Sequence, residues 1–418
     1  MKSVALYIHI PFCKQKCLYC DFTSFANVDG YMNKYIDALN KEIIDRCRGY
    51  KIKSLFIGGG TPSYLDEVSL KKLMDTIRNL EYTVNVEKSM ECNPGTVDKN
   101  KFEIIRYGGI NRLSFGLQTT NNSLLKKIGR IHSYEEFKSN YTLARELGFN
   151  NINIDMMFGL PDQSLEDYEE SLKEVITLEP EHISAYSLII EEGTPFYKMF
   201  QSNNLVMPNE EVERDMYVNT KKILQVKGYH QYEISNYAKD NKECLHNKVY
   251  WELGEYIGVG LGASSFIDNR RIRNIGNLER YIDNVSKDKC IFEEEYVNTK
   301  KDNIEEFMFM GLRMMKGIKE NEFQRNFEIT VDSVYEKVIK DNINKGLLLR
   351  EQGSIRLTEK GIELSNYVMS DMILDRWENR RITKKIRANE LKFSLVKNNT
   401  NLYNWQLNRE RIYYYYSH

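Results

Sequence analysis

From Val4 to about residue 200, short apolar runs alternate with amphipathic helical stretches, and no other feature of the chain narrows its fold so far. The runs are Val4–Ile10, Ser54–Ile57, Ser89–Cys92, Arg112–Leu117, Asn151–Met157 and His182–Leu188. Between them Tyr31–Arg46, Glu67–Leu80, Lys99–Tyr107, Tyr134–Leu147 and Leu165–Leu178 carry helical periodicity. Strand-then-helix repetition implies parallel strands joined by right-handed crossovers. Such a set suits an incomplete barrel or an open doubly wound sheet, and the pattern alone does not order the strands.

Residues 208–228 read as a further helix, closed by Gly228, followed by a Gly- and aromatic-rich section from Tyr229 to Phe266. Beyond about residue 300 the pattern is helical through Glu305–Met315 and Asn321–Asn344. Ser354–Leu357 then reads as a strand, and Thr358 caps a helix beginning at Glu359. We therefore expect a core over 1–235, a connecting segment over 236–300, a smaller helical, winged-helix-like domain over 301–374, and a tail over 375–418. The tail carries roughly ten basic side chains against four acidic ones. It suits a basic interaction arm; a solvated extension is the plainer and preferred reading.

Lys and Arg number 59 against 60 Asp and Glu, so no overall basic bias calls for nucleic acid. No apolar run approaches the ~20 residues that span a bilayer. Lys2 followed by Val4–Phe12 imitates an export signal, but His9 interrupts it and Pro11-Phe12 offers no small residues for cleavage. Seven cysteines in 418 residues are too few and too uneven for a disulfide framework, so reduced thiols in the cytoplasm are expected.

Cys13, Cys17 and Cys20 follow the first strand in a loop opened by Pro11. Thiolates are soft ligands for iron–sulfur clusters or zinc. Three of them in one loop leave one iron of a [4Fe–4S] cubane open to a further ligand. The alternative is a zinc site completed by His9 or a distant cysteine, although zinc sites usually pair two C-x2-C units and no second pair exists here. Gly58-Gly59-Gly60-Thr61-Pro62 follows the second strand, where glycines let backbone amides approach a ligand. Glu91 ends the third strand. Arg112–Gln118 places polar groups on one strand face, which would be costly in a dry core and suits a polar cavity. Arg130 and Asp155 extend the polar set. Cys47, Cys92 and Cys290 lack ligand spacing and read as small buried hydrophobes.

With these motifs the chain up to about residue 375 resembles the radical SAM superfamily, in its porphyrin-related branch. The resemblance implies a partial (β/α)6 TIM-like barrel with a [4Fe–4S] cluster on Cys13, Cys17 and Cys20. It implies S-adenosylmethionine (SAM) contacts from Tyr7, Gly59, Gly60, Thr61, Glu91, Gln118, Arg130 and Asp155. Simple strand packing would equally explain Tyr7, and a solvated turn would explain Glu91.

Two relatives share the whole motif string: oxygen-independent coproporphyrinogen III dehydrogenases and HemW-type haem chaperones. The dehydrogenases carry a fourth cysteine where Phe22 stands here, and a substantial extension before the first strand where this chain has a few residues. Tyr232–Ala238, and His246-Asn247-Lys248-Val249-Tyr250-Trp251 with its HNxxYW pattern, resemble the chaperones. The resemblance therefore favours a haem chaperone, with decarboxylation of porphyrinogen as the runner-up and a non-catalytic metal-binding protein as a third reading. Haem would be cargo on His246, with Cys244 as a thiolate alternative; a histidine among aromatics is more often a core or turn residue. Expected partners are haem, haem-receiving proteins that include membrane-bound ones, and an electron donor, with no nucleic acid. Cytoplasmic location is expected, with peripheral membrane contact left open. The basic tail departs from the family, whose members end near the helix at 359–374.

Overall fold

The computed structural model describes residues 1–374; the expectations for the tail at 375–418 lie outside them. The described chain forms two units. The first comprises Met1–Val249 and Gly254–Val297, the second Tyr250–Leu253 and the residues from Asn298 on.

In the first unit six parallel strands appear in sequential order: β1 (Lys2–Ile10), β2 (Tyr50–Gly59), β3 (Tyr82–Cys92), β4 (Arg112–Gln118), β5 (Ile152–Phe158) and β6 (His182–Ser187). Between them lie α1 (Met32–Cys47), α2 (Glu67–Arg78), α3 (Lys99–Tyr107), α4 (Tyr134–Glu146) and α5 (Leu165–Thr177), and α6 (Glu210–Val226) follows β6. A doubly wound sheet would reverse its strand order at a switch point. This one does not reverse, and it is the partial (β/α)6 barrel.

Local sequence sets the helix starts. Asp66 and Asp98 accept backbone amides at the heads of α2 and α3, while Ser133 with Glu136 and Ser164 with Asp167 close capping boxes on α4 and α5.

Alternation divides the barrel strands into two faces. Leu6, Ile8, Leu55, Ile57, Met90, Leu113, Phe115, Ile152, Ile154 and Ile183 are fully buried in one core shared with the helices. The opposite face carries Tyr7, His9, Ser54, Phe56, Glu87, Ser89, Glu91, Arg112, Ser114, Asn153, Asp155, His182 and Ser184. Register joins these across the ladder: Tyr7 with Phe56, Phe56 with Ser89, Glu91 with Ser114, Asp155 with Ser184. The lumen is therefore polar, as the residues of Arg112–Gln118 led us to expect.

Two expectations need correction. Residues 236–297 do not merely connect two domains: they add strands to the same sheet. Tyr256–Val259 pairs in parallel with β1, and Asn236–Ala238 pairs antiparallel with β6. Ser264–Ile267, Arg270–Asn274 and Phe292–Val297 continue the β1 side. Covering the open edges of an incomplete barrel is the physical reason, and Ile257, Val259 and Ile272 share the main core. A boundary at 235 would cut a hairpin in which Asn236 faces Glu233.

The second correction concerns Asn321–Asn344, which is two helices, Glu320–Phe327 and Asp332–Asn344. Glu328 ends the first in the left-handed conformation (φ 60°), and the β-branched pair Ile329-Thr330 does not resume it. The second unit also holds Lys300–Gly311, a three-stranded antiparallel sheet ordered Ile318–Lys319, Ser354–Leu357, Leu348–Glu351, and two short closing helices. Among the described residues no helix is long and apolar enough to cross a membrane.

Candidate functional site: a thiol loop over a polar barrel

After β1 the chain turns at Pro11, and Phe12–Cys13 pairs in parallel with Phe25–Ala26. The intervening residues form a loop tied at both ends. Within it the Cys20 amide donates to the Cys17 carbonyl at 3.2 Å. Cys13 is buried, while Cys17 and Cys20 are partly exposed. Loss of water raises the thiols of Cys13 and Cys20, the latter to about 11. Both are protonated at neutral pH without a ligand, so metal ligation must displace protons.

Two donors reach the sulfurs from other elements. The Thr61 hydroxyl donates to Cys13 Sγ at 3.5 Å, and the Arg130 guanidinium donates to Cys17 Sγ at 3.5 Å. Gly60 is what lets the second strand come so close. A Cβ there would lie 2.9 Å from both Cys13 Sγ and the Phe12 carbonyl oxygen, and 3.1 Å from that of Ile10. Gly59 is needed twice over: its φ is +114°, and a Cβ would strike the His9 ring at 2.6 Å.

Further polar groups gather at the carboxyl ends of β2 to β5, where α/β barrels bind ligands. Glu91 accepts the Gly59 amide at 3.1 Å. Loss of water, helped by the charge of Asp155, pushes its carboxyl up to about 8. Gln118 ends β4 at φ +77°, is buried, and its Oε1 finds no hydrogen-bond partner. An unpartnered buried amide oxygen costs about 1–3 kcal/mol, and unusual backbone at such a position is typical of a ligand clamp. Asp155 accepts Asn153 Nδ2 at 2.7 Å and the Ser114 hydroxyl at 3.3 Å.

Tyr7 donates to His9 Nδ1 at 3.0 Å, because His9 Nε2 must be the protonated nitrogen that reaches the Thr23 carbonyl at 2.8 Å. Both ring nitrogens of His9 are thus engaged, which leaves it no free nitrogen for zinc. Among the described residues no three His, Cys, Asp or Glu side chains converge on a single-ion position. Thiolates of a cubane each hold a different iron and need no such convergence.

Asn93 was not singled out in the sequence, although it ties the rim together. Its Nδ2 donates to Thr61 Oγ1 at 2.9 Å, and its Oδ1 accepts from Arg130 Nη2 at 2.9 Å. The available signal was its place two residues after Glu91. Gln15, Cys17, Thr61, Asn93, Arg130 and His132 line one cleft. Cys47 and Cys92 are buried as expected; Cys290 is exposed and corrects that expectation.

His246 is not brought to this rim. It lies lower in the barrel, against the middle of β2 and β3, 1% exposed, its Nδ1 3.0 Å from Ser54 Oγ. Its backbone amide donates to Glu87 Oε1 at 3.2 Å, and its ring centre is 5.4 Å from that of Phe56. Cys244 is fully buried, its thiol pushed up to about 12 by loss of water and directed at Glu87 Oε1 (3.6 Å). Tyr250 and Trp251 of the same motif belong to the second unit, where the Arg313 guanidinium lies 4.3 Å from the Trp251 ring centre.

A partial (β/α)6 barrel with a C-x3-C-x2-C loop at the carboxyl ends of its strands defines a radical SAM protein. Residues 7–175 match the family model of the radical SAM superfamily, and residues 298–364 that of the HemN C-terminal domain. The chain is 40% identical over 373 residues to haem chaperone HemW of Bacillus subtilis, covering 88% of this chain and 98% of the relative. It is 36% identical to haem chaperone HemW of Lactococcus lactis, covering 90% and 98%. The chain belongs to the haem chaperone HemW family. Coproporphyrinogen III oxidase (HemN) of Escherichia coli, a radical SAM enzyme, shares the fold with a TM-score of 0.79 over 89% of this chain and 90% of that one, at 24% identity.

Proposed function

We propose that this protein binds haem and passes it to haem proteins, and that it carries a SAM-liganded [4Fe–4S] cluster on Cys13, Cys17 and Cys20. The observation that carries the cluster is the loop itself: three thiols tied over a polar lumen, with donors from two other elements aimed at two of the sulfurs. The orphaned Gln118 Oε1 and the cradle at Gly60 fit a bound ligand. When bound, the cluster supplies an electron and an open iron for the amino and carboxylate groups of SAM.

The chain's own residues do the rest. Thr61 and Arg130 place hydrogen bonds on the cysteine sulfurs, which stabilises the charge of an electron-rich cluster. The backbone at Gly59 and Gly60, with no Cβ in the way, would hold the amino-acid end of SAM. Glu91, Gln118, Arg130 and Asp155 supply complementary polar groups, and Tyr7 closes the lumen beneath. The cargo reading rests on the family, with His246 as the axial ligand and Cys244 as the alternative. An electron donor and haem-receiving proteins are the partners this reading calls for, with membrane-bound recipients compatible with it and the cytoplasm as its setting.

Anaerobic reconstitution of the full chain tests the whole reading. Iron and sulfide should appear together and disappear in a Cys17→Ala variant. Haem titration should show binding that weakens in His246→Ala; unchanged affinity there removes His246 from the role. Conversion of coproporphyrinogen III under reducing conditions would overturn the chaperone assignment in favour of decarboxylation.

A further inference from the structure

We propose that the segment Cys244–His246 has two positions, seated on the barrel floor or withdrawn from it, and that SAM favours the first and haem the second. The proposal rests on the reading of His246 as the haem ligand. In the seated position that ring cannot meet a macrocycle. It is 1% exposed, Ser54 engages Nδ1, and Phe56 packs against it. Coordination through His246 therefore requires the segment to leave the floor.

Leaving would disturb the residues proposed to hold SAM by two routes. The first runs through rings. Phe56 has His246 at 5.4 Å and Tyr7 stacked at 6.4 Å with 23° between planes, and Tyr7 in turn donates to His9 beside Gly59. Withdrawing His246 removes the packing under Phe56 and loosens the base on which Tyr7 rests.

The second route is a directional chain of hydrogen bonds. Asp155 Oδ1 accepts from Asn153 Nδ2, so Asn153 Oδ1 is an acceptor and His182 Nδ1–H donates to it at 2.6 Å. His182 Nε2 then accepts from the Tyr232 hydroxyl at 2.9 Å, whose oxygen accepts the Cys244 amide at 3.3 Å. Glu87 anchors the near end by taking the Cys244 thiol and the His246 amide. Asp155 at the rim and Cys244 at the floor are thus ends of one buried chain.

A ligand shifts a two-state equilibrium only through a difference in affinity for the two states. SAM gains Tyr7 and an oriented Asp155 in the seated state alone, and haem gains His246 in the withdrawn state alone. Each must then weaken the other by the same factor, and couplings of this kind are typically about 5–150-fold.

The test uses full-length protein with its cluster reconstituted. Diethyl pyrocarbonate labelling followed by peptide mass analysis should modify His246 far more slowly than His230, whose side chain is 41% exposed. Saturating SAM should slow His246 further and weaken haem binding at least about fivefold. Ser54→Ala removes one bond from the seat without touching the rim, so it should label faster at His246 and bind haem about fivefold more tightly. Labelling of His246 as fast as His230, or haem affinity indifferent to both SAM and Ser54→Ala, overturns the proposal. If His246→Ala then still abolishes haem binding, the haem reading survives alone; if His246→Ala binds haem normally, both fall together.

Discussion

The two ends of the barrel hold similar side chains in opposite conditions. At the rim, Cys17, Cys20, Glu91, Asn93, Arg130 and Asp155 all keep partial exposure although they stand beside fully buried neighbours. Gln118 Oε1 and Arg130 Nε have no partner there. At the floor, Glu87, Asn153, His182, Tyr232, Cys244 and His246 are buried and bonded mainly to one another. The rim presents groups whose partners a ligand would supply; the floor bonds most of its own, though Ser89 Oγ and Arg112 Nε beside it find no hydrogen-bond partner. A motif residue is ready for chemistry only where the fold has left its polar atoms something to bind. That contrast separates the cysteines, which are presented, from His246, which is stored.

The largest expected effect breaks the rim alone. Cys17→Ala should eliminate the iron–sulfur absorption and the associated iron and sulfide. With no SAM added, shielding of His246 should not change, because the bonds that seat it come from Ser54 and Glu87 and none comes from the thiol loop. Loss of that shielding would show the two ends to be one cooperative unit. Gly60→Ala comes next, since the new Cβ would press on two carbonyl oxygens of the backbone at 2.9 and 3.1 Å as well as on Cys13 Sγ. Overpacking of this kind costs about 1–3 kcal/mol. Chemical denaturation should show that loss, and reconstituted cluster occupancy should fall with it.

Glu91 gives a pH-dependent contrast. Its folded carboxyl is raised from the usual 4.5 to about 8, by loss of water first and by Asp155 second. Folded protein therefore holds a proton that the unfolded chain has released. This contribution to stability is fully present below pH 4.5 and is lost as pH rises through about 8. A cationic ligand beside Glu91 favours the charged form, so SAM affinity should strengthen with pH over the same window. Glu91→Gln should flatten that slope; an unchanged slope would place the SAM cation elsewhere.

How much of this was legible in the sequence follows from the range over which each signal acts. The strands and helices of the barrel were readable because alternation of residues such as Leu113, Phe115 and Leu117 with Arg112 and Ser114 is local. The cysteine loop was readable because its spacing is local too. The edge strands at Tyr256–Val259 and Ser264–Ile267 are four residues each, too short to show a period. Their existence is dictated by the open edge of β1, which lies some 250 positions away. For the same reason nothing near His246 announced its burial: Ser54, Phe56 and Glu87, which cover it, come from strands far back in the chain. Asn93 was visible within its motif, but its bridge between Thr61 and Arg130 depends on β2 and the loop after β4 meeting in space.

The smallest effect tests where rim ends and floor begins. Ser114 touches both: its hydroxyl donates to Asp155 Oδ2 at 3.3 Å and accepts from Asn153 Nδ2 at 2.7 Å. Ser114→Ala removes one bond from Asp155 and one from Asn153 but leaves the Asn153–Asp155 and Asn153–His182 bonds in place. A single neutral hydrogen bond contributes about 0.5–1.5 kcal/mol, so SAM affinity should fall only a few-fold, read by equilibrium dialysis on reconstituted protein. Haem affinity should not change, because the chain from Asp155 to Cys244 still runs through Asn153. If Ser114→Ala instead alters haem binding while sparing SAM, Asp155 takes its orientation from Ser114 less than the floor does, and the boundary lies one layer nearer the mouth than the geometry places it.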